Sequence, residues 1–136
     1  MKKFVICLLA FLICGCRRTI DFDFDTYKQS LHISNGYFYD LCFENDSVLP
    51  NGKSYEGALF LIWQDSLCVP PTKINLNNYI PNGYIVSRGG IPSSERVIKL
   101  KANSTYTISS TGLGAVECRI KAWTNRNGKI LKAVKY

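Results

Sequence analysis

Val116-Glu-Cys-Arg-Ile-Lys-Ala-Trp-Thr-Asn-Arg-Asn-Gly-Lys-Ile-Leu-Lys-Ala-Val-Lys-Tyr136 is the stretch that decides the fold class. Val116, Cys118, Ile120 and Ala122 fall on one face of an extended segment, and Glu117, Arg119, Lys121 and Trp123 fall on the other. That two-residue period is the pattern of a half-buried strand. Asn125-Arg126-Asn127-Gly128 is turn chemistry, and residues 129–136 return as a second strand. The chain therefore closes on a β-hairpin.

Working back towards the N-terminus, the same grammar repeats. Residues 105–109 and 96–101 alternate and are separated by Ala102-Asn103-Ser104. Residues 84–87 form a short β-rich run after the turn Pro81-Asn82-Gly83, and residues 88–94 are rich in Gly, Pro and Ser and read as an exposed loop. Residues 57–64 are continuously apolar, which predicts a central strand buried on both faces. Residues 27–34 and 37–44 flank Asn35-Gly36, a strong hairpin signal. Asp21-Phe22-Asp23-Phe24-Asp25 alternates strictly and reads as a tether merging into the first strand. Its carboxylates diverge along an extended chain and have no Gly-turned loop to fold them round a cation, so no metal site is expected. No stretch keeps a helical period. The expected fold is all-β: a single antiparallel β-sandwich of about eight short strands. Residues 98–106 resemble the strand, turn and tyrosine corner of immunoglobulin-like domains, with Tyr106 as the corner residue.

The first sixteen residues have a different logic. Lys2 and Lys3 precede an apolar run over residues 4–13 that is too short to span a bilayer, which needs about 20 apolar residues. A basic head, a short apolar core and a small residue before the cut describe a secretory signal. Ile13-Cys14-Gly15-Cys16 resembles the bacterial lipobox. That resemblance implies a signal peptide over residues 1–15, acylation of Cys16, a lipidated tether over residues 16–26 and a folded domain over residues 27–136. Two or three acyl chains make an effectively permanent anchor in the lipid bilayer. Arg17 stands where an Asp would signal inner-membrane retention, so the resemblance implies an outer-membrane anchor with the domain facing the periplasm.

Removal of the leader takes two of 17 basic residues and none of 10 acidic ones, so the mature charge is +5. Six basic residues lie after Val116 (Arg119, Lys121, Arg126, Lys129, Lys132 and Lys135). They read either as a solvated hairpin face or as a surface for an acidic partner. Nucleic acid is not the expected partner of an exported chain. Cys42, Cys68 and Cys118 remain in an oxidising compartment. The alternation turns Cys118 inward and Cys42 outward, with Tyr37, Tyr39, Leu41 and Phe43 as the inward set. Cys68 sits in a loop before Val69-Pro70-Pro71. Cys42–Cys68 is the expected disulfide and Cys42–Cys118 the alternative.

No nucleophile elbow, phosphate loop or metal-binding signature occurs, and the lone His32 lies in a strand pattern. The chain reads as a non-enzyme without a cofactor. Candidate partner-binding residues are Arg88 and Glu95 around the Gly-rich loop, and Trp123 and Arg126 on the last hairpin. Exposed Trp and Arg are over-represented in binding hot spots. Ser34-Asn35-Gly36 leading to Leu41-Cys42-Phe43, then Cys68 and Asn82-Gly83-Tyr84, follow the lipobox. In these the chain resembles small enterobacterial lipoproteins described as type VI secretion immunity proteins of the periplasm. The resemblance implies binding and neutralisation of a protein toxin. A lysozyme inhibitor or an accessory of an envelope assembly is the alternative.

Overall fold

The computed structural model describes residues 20–47, 50–52, 57–110 and 118–136. The expected signal peptide, Cys16 and the first four residues of the expected tether lie outside these residues. Ten strands are present and no helix occurs among the described residues: β1 (Phe22–Asp25), β2 (Ser30–Ile33), β3 (Asp40–Asn45), β4 (Leu59–Trp63), β5 (Lys73–Asn75), β6 (Tyr84–Arg88), β7 (Ile91–Pro92), β8 (Thr105–Ser110), β9 (Cys118–Thr124) and β10 (Ile130–Lys135). They form two antiparallel sheets, one of three strands in the order β1-β2-β5 and one of seven in the order β10-β9-β8-β3-β4-β6-β7.

Both sheets contribute to one apolar core. Phe22, Leu31, Ile33 and Ile74 come from the small sheet, and Leu41, Phe43, Leu59, Leu61, Val86, Ile108, Ile120 and Ile130 from the large one. Phe22 is fully buried and meets Phe38 edge-on at 5.6 Å. The folded unit therefore begins by Ile20, and residues 22–25 are a core strand rather than tether. Their carboxylates have a different use: Asp21 and Asp23 both accept from Lys135 Nζ, at 2.6 and 2.7 Å, which ties β1 to the C-terminal strand.

Three expectations about pairing are corrected. Asn35-Gly36 does not join two paired strands. β2 is already flanked by β1 and β5, so no edge is left for β3, and residues 34–39 cross to the other sheet. Phe38, not Tyr37 or Tyr39, is the inward residue of that crossing, and its N–H donates to the Pro71 carbonyl. Residues 96–101 form no strand and make a single bridge, Tyr79 to Val97. β8 has both edges occupied by β3 and β9, and the Arg96 guanidinium instead donates to the carbonyls of Ile80, Pro81 and Tyr84. Finally, β4 is central in its sheet but one-sided: Leu59 and Leu61 are buried, while Phe60 and Ile62 point outward and are exposed. A continuous apolar run cannot reveal that one of its faces is uncovered.

Other expectations hold. The terminal hairpin pairs β9 with β10, with a register shift between Ile130 and Lys132. Tyr106 is buried and its hydroxyl accepts from the Lys101 N–H at 2.8 Å, which fixes the corner between residue 101 and β8. Thr124 Oγ1 reinforces that corner by donating to the Lys101 carbonyl. Residues 88–94, read as an exposed loop, instead turn β6 into β7 through Gly89 and Gly90, both at positive φ, which a two-residue hairpin of this kind requires.

Candidate functional site

The strand directions give the domain two distinct ends. At one end lie the chain entry at Ile20–Phe22, the start of β3, the end of β4, the start of β6 and the end of β10. At the other lie the β6–β7 turn, the start of β8 and the tip of the β9–β10 hairpin. Arg88, Trp123 and Arg126 are all at this second end, farthest from the entry of the chain.

They do not form one cluster. β6 and β9 are four steps apart in the large sheet, roughly 19 Å at about 4.8 Å per strand. Arg88 and Glu95 are committed to each other. The guanidinium donates from Nε to Glu95 Oε2 at 3.0 Å and from Nη2 to Oε1 at 3.1 Å, and its Nη1 donates to the Gly57 carbonyl at 3.0 Å. Ser93 Oγ adds a bond to the same carboxylate at 2.8 Å. Arg88 first, and Ser93 with it, holds the Glu95 carboxyl below its ordinary range. The pair fastens the residues after β7 onto β6, so its donors and acceptors are spent within the fold. The Gly-rich segment is a tight hairpin turn rather than a projecting loop.

The hairpin half is different in character. Between Cys118 and Tyr136 there are six basic residues and no acidic one. Trp123 is half-buried rather than fully exposed, and Lys132 Nζ stands 5.1 Å from the centre of its ring. Such a cation–π contact contributes about 0.5–1 kcal/mol at an exposed site. Register makes the pairing inevitable, because Lys132 is the direct cross-strand partner of Trp123. Arg126 is exposed in the turn, and Lys121 is exposed on the same outward face as Trp123. Below the turn a cleft of about 350 Å³ is lined by Gln29, Leu76, Asn77, Ile98, Leu100 and Lys129, with Lys129 Nζ donating to Asn77 Oδ1.

Cys118 faces the core and Cys42 faces outward, as the alternation predicts. Neither is joined to Cys68: no disulfide links these three residues in the structure. The reason lies in Trp63. Its indole is on the core side of β4, and its Nε1 donates to the Asp65 and Cys68 carbonyls at 2.8 and 3.0 Å. Cys68 is thereby held at the core-side end of β4, whereas Cys42 projects from the opposite face, three register positions back from Trp63. The alternative Cys42–Cys118 pair is separated by the sheet itself.

Sequence reasoning missed the outward apolar row of Phe60, Ile62 and Ile85, in which Ile62 is directly opposite Ile85. It also missed Lys132 as the partner of Trp123. Alternation in residues 84–87 carried a signal for the first, since Tyr84 and Val86 alone satisfy the core. No protein-family model, curated protein or solved structure matches the chain.

Proposed function

We propose that the chain is a periplasm-facing lipoprotein, anchored in the outer membrane through acylated Cys16, that binds and neutralises a protein toxin without catalysis. The observation that carries this reading is the basic hairpin at the end of the domain remote from the chain entry. Trp123, Lys121, Lys132 and Arg126 are presented together there on one rigid two-stranded element. An anchor at one end and an aromatic–basic surface at the other suit a protein that intercepts an acidic partner above a membrane. A half-buried Trp with flanking basic groups has the composition of an interface hot spot, and like-signed charge speeds association with an oppositely charged partner. The two sheets are read as an immunoglobulin-like sandwich, on the strength of their shared core and the Tyr106 corner.

The test is survival. A toxin encoded beside this gene, exported to the periplasm, should kill cells that lack the chain and spare cells that make it. Protection lost in a Trp123→Ala, Arg126→Ala double variant that accumulates normally supports the hairpin as the binding surface. Inhibition of a muramidase by the purified chain, with no toxin protection, would overturn the reading in favour of an enzyme inhibitor.

A further inference from the structure

The end of the domain where the chain enters carries its own uncovered apolar group. Leu67 is 93 % exposed and Val69 65 % exposed, in the loop that leaves β4 and crosses to β5. This loop is not a loose excursion. Trp63 Nε1 fastens it at Asp65 and Cys68, Asp65 Oδ1 accepts from the Leu67 N–H, and the Pro71 and Thr72 carbonyls accept from Phe38 and Ile33. Leu67 and Val69 are thus held outward by a fixed backbone. Tyr37 and Tyr39, paired edge to face at 6.3 Å, lie at the same end.

We infer that this end is a lipid-docking surface: Leu67 and Val69 insert into the bilayer interface beside the acylated Cys16, with Tyr37 and Tyr39 at headgroup level. The inference rests on the lipoprotein reading and adds an orientation to it. Its warrant is the length of chain before Ile20 and the place where that chain joins the fold. Cys16 is four residues from Ile20, so even a fully extended link spans at most about 14 Å. β1 and β5 are two steps apart in the small sheet, roughly 10 Å. A domain held that closely by its entry strand brings the Leu67 loop to the membrane surface by geometry alone. Tyr is enriched at such interfaces because its ring is apolar and its hydroxyl is wet. At this end Lys135 is paired with both Asp21 and Asp23.

The chain contains two tryptophans, Trp63 bonded to this loop and Trp123 near the opposite end, which supplies a built-in ruler. The experiment uses the full lipidated chain carrying Trp123→Phe, reconstituted into phosphatidylethanolamine–phosphatidylglycerol vesicles with brominated acyl chains. Trp63 emission should be quenched relative to unbrominated vesicles. A Leu67→Asp, Val69→Asp variant should float with the vesicles to the same extent yet lose the quenching, because the acyl anchor remains while the loop is expelled. A chain that floats with unquenched Trp63 overturns the docking inference and leaves the lipoprotein reading standing. A chain that does not float removes both.

Discussion

The carboxamide of Gln29 pairs with both backbone polar groups of Ile130, donating from Nε2 to the carbonyl at 2.8 Å and accepting the N–H through Oε1 at 2.9 Å. A side chain thus imitates one rung of a β-ladder and joins the β1–β2 turn of the small sheet to the outermost strand of the large one. Gln29 adopts a positive φ of 52°, an unfavourable conformation for a residue with a side chain. A third bond, from Nε2 to the Thr26 carbonyl, helps to hold it there. Gln29→Leu would strand two buried backbone groups, each costing about 1–3 kcal/mol. The urea midpoint should fall by an amount equivalent to about 2–6 kcal/mol with an unchanged slope. An unaltered midpoint would mean that Ile130 finds other partners.

Gly83 lies beneath the Trp63 indole. A β-carbon there would stand 2.2–2.6 Å from ring atoms, and the ring is itself packed edge-on against Tyr84 at 4.9 Å. Gly83→Ala should destabilise by about 1–3 kcal/mol, the usual cost of overpacking, and should alter Trp63 fluorescence. Gly36→Ala, where the nearest atom is 3.7 Å away, is the control and should be close to neutral. Equal effects at the two positions would contradict the packing described for Trp63.

Acid should release the Arg88–Glu95 fastening. The carboxyl is held below its ordinary range, so its contribution is present above the unfolded value of about 4.3 and disappears as pH falls through the lowered one. Urea midpoints of the parent and Glu95→Gln should therefore differ at neutral pH and converge below about pH 4. A gap that is constant with pH would assign the effect to something other than the ionised carboxylate.

Strand composition, the terminal hairpin and the facing of Cys42 and Cys118 were legible in the sequence because each follows from a local period or turn. Partner choice was not. Asn35-Gly36 has the chemistry of a hairpin turn, but both edges of β2 are taken by strands distant in sequence, and the burial of Phe38 redirects the chain. The outward face of β4 was hidden for a similar reason, since Phe60 and Ile62 are as apolar as the buried Leu59 and Leu61. The Arg88–Glu95 pair looked like exposed binding charge because nothing local shows that two residues seven apart will bond across a hairpin.

Trp123 carries the binding prediction. Trp123→Ala should weaken toxin binding by about 2 kcal/mol or more, and Lys132→Ala by less, since it removes only the cation above the ring. Association should slow as salt rises, because Lys121, Arg126, Lys129 and Lys132 towards the hairpin tip supply the attraction. Rates independent of both salt and Trp123 would place the contact elsewhere, the outward row of Phe60, Ile62 and Ile85 being the next surface to probe.

Both the orientation of the hairpin and the docked loop depend on an acyl chain at Cys16. Metabolic labelling with an alkyne-bearing palmitate analogue, followed by detergent-phase partitioning, measures it directly. The full-length chain should take up label and enter the detergent phase, while Cys16→Ala should take up none and stay in the aqueous phase. Equal labelling and partitioning of the two chains would contradict the lipid anchor.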